Sequence, residues 1–152
     1  MAAKKGRLPV VLDTNVIIGN YLSTNPKSPN VVTMRLWRER KLQLIVSAEI
    51  AAEYIDVLNR LGIAENLVTN FVASLHEGGN VTQVNLGKRF MDSRDPKDNP
   101  FLSTAAAGRA KFLVTNNPDL LDIPETSKRK FKFRIVTPKA FLKIYFDRFA
   151  LR

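Results

Sequence analysis

Four acids stand where a sheet protein places its chemistry. Asp13 ends the apolar run Leu8-Pro9-Val10-Val11-Leu12 and is followed at once by Thr14 and Asn15. Glu53 lies at the edge of an apolar helical stripe of Ile50, Tyr54, Val57, Leu58 and Leu61, spaced at ~100° per residue. Asp98 precedes Asn99-Pro100, and Asp119 follows the run Lys111 to Thr115 and the turn Asn116-Asn117-Pro118. Each acid also has a structural explanation. Asp13 and Asp98 can cap or compensate a helix, Glu53 can pack its stem with its head in water, and Asp119 can be a turn residue. Asp92 and Asp95 rival Asp98 within the same loop. The combination is more specific: two strand ends, one helix edge and one helix start converge on one crevice.

Close carboxylates repel and are driven toward protonation, a cost that a divalent cation removes. With oxygen ligands and no cysteine in the chain, the expected metal is Mg²⁺ or Mn²⁺ rather than zinc. Such a site suits hydrolysis of a phosphodiester. Other devices fit less well. His76, the one histidine, falls near the end of an expected helix, which argues against a Ser-His-Asp arrangement. No Gly-x-Gly-x-x-Gly follows the first strand and no P-loop lysine motif occurs, which argues against dinucleotide or nucleoside-triphosphate binding. Asp13-Thr14-Asn15 also lacks the second acid of an Asp-x-Asp phosphotransfer site.

The elements that must position these acids alternate. Strands are expected at Leu8–Leu12, Leu42–Val46, weakly at Val81–Leu86, at Lys111–Thr115 and at Phe131–Val136. Helices are expected after Asp13, over Val31–Lys41, from an N-cap at Ser47, over about Ile63–His76, over Phe101–Arg109 and from Thr137-Pro138. Thr24 to Asn30 is a turn-rich loop. This order predicts an α/β fold, a three-layer α/β/α sandwich on a mainly parallel sheet. Its ligand crevice lies at the carboxyl ends of the strands. One domain is expected over residues 8–146, between a basic tail at 1–7 and a C-terminal tail at 147–152. The absence of cysteine, of an apolar run of membrane length and of a signal-peptide core predicts a soluble cytoplasmic protein.

Lys and Arg number 24 against 14 Asp and Glu, a net charge of +10. Such a balance favours polyanionic partners, nucleic acid above all. The expected basic patches are Arg35, Arg38, Arg40 and Lys41 on an early helix, and Lys128 to Arg134 near the last strand. There Lys130, Lys132 and Arg134 alternate with Phe131, Phe133 and Ile135. The same charges also guard an edge strand against aggregation.

Leu12-Asp13-Thr14-Asn15, Ser47…Glu53, Asp98 before a small-residue helix, and Val114-Thr115-Asn116-Asn117-Pro118-Asp119-Leu120-Leu121 together resemble the PIN-domain pattern. The ending Ile135-Val136-Thr137-Pro138-Lys139-Ala140-Phe141-Leu142 is similar to a subgroup of toxin components of toxin–antitoxin pairs. The resemblance implies a Rossmann-like sandwich and a metal-dependent ribonuclease. It implies Asp13, Glu53 and Asp98 as metal-coordinating carboxylates, with Asp119 as the fourth acid, and Thr14, Asn15 and Thr115 as polar support. Many members read Thr-x-Asp-x-Asp where this chain has Asn117 and keeps Asp119. A neutral amide can ligate through its carbonyl but adds no charge, so one-metal and two-metal sites both stay open. The resemblance further implies an antitoxin partner and a dimer. A second reading is a nucleic-acid-binding module of the same fold with weak or lost catalysis.

Overall fold

The computed structural model describes residues 6–150. Most of the expected basic N-terminal tail and the last two residues lie outside that range. Five strands form one sheet: β1 (Leu8–Leu12), β2 (Leu42–Ser47), β3 (Val81–Val84), β4 (Phe112–Val114) and β5 (Arg134–Val136). Their order is β3-β2-β1-β4-β5 and every pairing is parallel. Parallel neighbours need crossovers, and helices supply them on both sides of the sheet. The helices are α1 (Thr14–Leu22), α2 (Pro29–Arg38), α3 (Ala48–Arg60), α4 (Glu65–Glu77), α5 (Asn99–Ala107), α6 (Pro118–Leu121), α7 (Glu125–Lys128) and α8 (Pro138–Arg148). A 3-10 turn, Pro96–Asp98, leads into α5. None is long and apolar enough to cross a membrane.

The chain winds outward from β1 through β2 to β3, then returns to place β4 on the other side of β1. The carboxyl ends of β1 and β4 therefore flank the point where the winding reverses, which is where open α/β sheets open a crevice. Asp13 follows β1 and Thr115 follows β4. The residues of β2 and β4 are buried throughout, as near-continuous apolar central strands require. The small residues of α5 let it lie close on the sheet. A methyl group at Gly108, just past α5, would sit 2.1 Å from the Ile45 side chain of β2.

Several boundaries differ from the sequence reading. α2 starts at Pro29, because proline suits a helix's first turn. It stops at Arg38, because Arg40 turns left-handed with φ 62°. The last strand is only Arg134–Val136. Glu125–Lys128 form α7, a single turn too short to show helical periodicity. Leu61 does not join the apolar stripe of α3. It terminates the helix and is 52% exposed. Arg7 is no free tail: its guanidinium donates to the Gly79 carbonyl at 2.7 Å. α8 continues to Arg148, and Phe149 packs edge-on against Phe112 with centroids 6.3 Å apart, so packed structure extends past residue 146.

Candidate active site

Asp13 occupies two roles at once. Its backbone is extended and its Oδ1 accepts the Thr14 N–H at 2.7 Å, capping α1. Its Oδ2 accepts the Thr115 hydroxyl at 2.6 Å and the Asn15 amide at 3.2 Å. Asn15 in turn accepts the Asn116 N–H at 3.1 Å, so the ends of β1 and β4 are tied across the crevice. Asp13 is 4% exposed. Burial pushes its carboxyl up to about 6 against the pull of these donors, and the charges of Asp98 and Glu53 push the same way.

Glu53 projects half-buried from α3 and accepts the Thr14 hydroxyl. Burial raises its carboxyl too, with Asp98 and Asp95 adding to the rise. Beneath it Tyr54 is fully buried and donates to the Leu12 carbonyl, fixing α3 against the last residue of β1. That bond sets the height of Glu53 above the sheet.

Asp98 is buried, stands at the N-cap of α5 and makes no side-chain cap bond. Capping therefore does not explain its carboxylate. The Oδ2 instead accepts the Ser93 hydroxyl at 3.1 Å and the Asn117 amide at 2.9 Å. Burial raises this carboxyl, and the charges of Asp95 and Asp119 raise it further. Oxygens of Asp95, Asp98 and Asp119 all lie within 4.8 Å of one another. Asp13 and Glu53 stand outside this tight triad, but the charge of Asp98 reaches both.

Asn117 does not offer its carbonyl to the crevice. That oxygen accepts the Asp119 N–H at 2.9 Å and caps α6, while the amide nitrogen faces Asp98. The Asn117 N–H donates to Thr115 Oγ1 at 2.9 Å, so Thr115 serves Asp13 and Asn117 together. Asp119 is paired with Arg94 at 3.0 Å, and Arg94 also reaches Asp122.

The sequence reading underrated Asp95. Asp95-Pro96 is a cap followed by proline, with the Asp95 side chain accepting the Lys97 N–H at 3.0 Å, and that turn delivers Asp95 to Asp98. Asp92 goes elsewhere, to Lys130 at 2.6 Å. Ser93 and Arg94 were missed altogether, since neither belongs to a periodic element.

The basic residues are not gathered at the crevice. Arg35 is half-buried rather than outward, and donates to the Pro26 carbonyl at 2.8 Å. Arg38 ends α2 beside Tyr21, whereas the other end of α2 meets the crevice through Asn30 and Asn116. Lys128 is half-buried and donates to the Leu121 carbonyl at 2.6 Å. Lys132 and Arg134 are exposed and Lys130 is paired with Asp92.

The described site is thus a set of carboxylates at the switch point, in which Asp13, Glu53 and Asp98 are each held by donors from distant segments. A PIN domain matches residues 9–119. The chain belongs to the PIN-domain family. PIN domains are generally nucleases and use divalent metals. No curated protein sequence matches this chain. Among solved structures the crystal structure of FitAcB from Neisseria gonorrhoeae is similar, at 15% identity and a TM-score of 0.50. The likeness covers 86% of this chain and 98% of that one and is one of fold. The oxygen-only donor set of this PIN domain fits a hard divalent cation. Its carboxylates destabilise one another's ionised forms, and such a cation relieves that cost.

Proposed function

We propose that this PIN domain is a Mg²⁺- or Mn²⁺-dependent endoribonuclease and the toxin of a toxin–antitoxin pair. The observation that carries the nuclease reading is the set of carboxylates held in place by Thr14, Thr115 and Asn117 at the switch point. Asp13, Glu53, Asp98 and Asp119 would hold the metal, with Asp95 as a fifth acid. When bound, the cation polarises the phosphate, lowers the pKa of the attacking water and neutralises charge on the leaving oxygen.

The residues of the chain do the rest. Thr115 and Asn15 fix the orientation of Asp13. Asn117 and Ser93 fix Asp98. Thr14 occupies one oxygen of Glu53 and leaves the other free to ligate the cation. These donors are in place before any ligand arrives, so little reorganisation accompanies reaction.

The pairing of Asp119 with Arg94, together with a neutral Asn117, favours one metal over two. The same pairing is what favours the second reading, an RNA-binding module with weak catalysis. The toxin role, an antitoxin partner, a dimer and a cytoplasmic location rest on the resemblance of residues 135–142 and on the sequence reading.

Cleavage of single-stranded RNA with Mg²⁺, Mn²⁺ or EDTA, for wild type and Asp98→Asn, tests the nuclease. Cleavage with metal, absent in EDTA and in the variant, is expected. Equal cleavage by the variant overturns the site. RNA binding without cleavage under either metal favours the second reading. Growth arrest on expression, relieved by a protein encoded beside this one, tests the toxin role.

A further inference from the structure

At the far end of α5 from the carboxylates lies a groove of about 610 Å³, within the ~300–1,000 Å³ typical of ligand sites. Its floor is the last turns of α5, where Ala106 is exposed. One wall is aromatic. Phe131 is half-buried and stacks on Phe133, centroids 4.9 Å apart and rings 15° from parallel, while Phe90 meets Phe131 edge-on at 5.3 Å. Cations surround this wall. Lys130 is tied to Asp92, and its ammonium lies 5.8 Å from the Phe131 centroid. Among the described residues, Arg109, Lys111 and Lys132 are exposed and have no carboxylate within ion-pair distance.

Arg109 carries a second peculiarity. It has φ 53°, at the position after a helix end where glycine is favoured. An L side chain resists that backbone. Arg40 turns left-handed in the same way after α2, so this backbone marks a helix end, and glycine would suit it at 109 as well.

We propose that this groove binds the single-stranded RNA that flanks the cleaved bond. A base packs on Phe131, and phosphates lie on Arg109, Lys111 and Lys132. The alternation of aromatic face and cation matches the alternation of base and phosphate in a single strand. The groove and the carboxylates share α5. Asp98 and Arg109 flank its two ends, and its nine residues rise about 13.5 Å at 1.5 Å per residue, a span of about four stacked nucleotides at 3.4 Å each. The identity of the strand as substrate rests on the nuclease reading; the binding rests on the groove alone.

Fluorescence anisotropy in EDTA tests it, with a labelled uridine 12-mer and wild type against Arg109→Gly/Lys111→Gln/Lys132→Gln. Glycine suits the backbone at 109, so Arg109→Gly alone is expected to melt at the same or a higher temperature while binding more weakly. The triple variant is expected to bind at least ~10-fold more weakly at low salt. Its slope of log K against log salt should be shallower by about 2, at ~0.7 for each phosphate left unneutralised. Phe131→Leu should weaken binding about 5-fold or more without changing that slope.

Equal affinities and equal slopes for wild type and triple variant overturn the proposal. So does a polyglutamate peptide of equal charge that binds as tightly as the RNA through the same three cations; that outcome assigns the groove to an acidic protein. Wild type that binds through the groove but cleaves nothing under either metal removes the nuclease and keeps the groove. Cleavage by the triple variant at unchanged KM removes the groove and keeps the nuclease.

Discussion

Replacing Asp13 by asparagine should make the metal-free protein more stable while abolishing the metal-dependent cleavage proposed above. Asp13 is 4% exposed and its carboxyl is raised from 3.8 to about 6, burial being the main cause. At 1.36 kcal/mol for each tenfold change, keeping it ionised at pH 7.5 costs the native state about 3 kcal/mol. The native protein holds this proton more tightly than the unfolded chain. Between about pH 4 and 6 it therefore carries more protons, and its stability falls as pH rises. Asparagine removes the charge and keeps one carbonyl oxygen for the Thr14 N–H. Its amide nitrogen must then sit where Thr115 and Asn15 now donate. The Thr115 hydroxyl can turn and accept, but its own proton and the Asn15 amide then lose their acceptor, together about 1–2 kcal/mol. The net gain is about 1–2 kcal/mol, or roughly 2–8 °C in Tm for a domain of this size. Thermal unfolding in EDTA at pH 7.5 and 4.5 reads this: the variant should melt higher at pH 7.5, and the gap should close at pH 4.5. Added Mn²⁺ should raise wild type and not the variant, and RNA cleavage should fall at least ~100-fold, several kcal/mol of transition-state stabilisation. A variant less stable than wild type at pH 7.5, or a gap independent of pH, would refute the account of Asp13 as a buried charge awaiting a cation.

The remaining predictions concern the same framework. Protons compete for Asp13, so Mn²⁺ affinity measured by calorimetry should weaken as pH is lowered through about 6. Asn117→Asp sets a second carboxylate against Asp98 where the amide now donates at 2.9 Å. It should lower metal-free stability by about 1–3 kcal/mol, with Mn²⁺ restoring it; a thermal-shift titration decides. Gly108→Ala drives a methyl group into Ile45 and should cost about 1–3 kcal/mol by urea unfolding. Unchanged stability there would mean that α5 can lift from the sheet.

Much of the fold was legible because its signals are local. Buried parallel strands read as near-continuous apolar runs; β1 and β4 are such runs, and β2 is interrupted only by Gln43 before its closing Ser47. Ser47 and Thr137 cap their helices as their side chains allow, accepting the Ile50 and Ala140 N–H groups. The alternation of strand and helix then restricts the topology to a few windings. Where signals were short or conflicting the reading slipped. Lys130 to Arg134 alternates like a strand, yet only its end pairs with β4, because β4 begins at Phe112 and offers no strand partner before Arg134. Leu61 has the spacing of a core residue but terminates α3, and the stripe ends with the helix.

The sequence by itself determined which acids are candidates for chemistry and the elements that carry them. Asp13, Glu53, Asp98 and Asp119 follow from strand ends, a helix edge and a proline-marked helix start, all fixed by nearest neighbours along the chain. Only the tertiary structure decided what each group faces. It turned Asn117 into a donor to Asp98, brought Asp95 in and sent Asp92 to Lys130. It spent Arg35 and Lys128 on backbone carbonyls. It also set Arg109 and Lys111 around the same groove as Phe131. The physical reason is that propensity and periodicity act over a few residues, whereas a carboxylate's proton affinity and a cation's availability depend on groups far away in the chain, here Asp13 and Thr115.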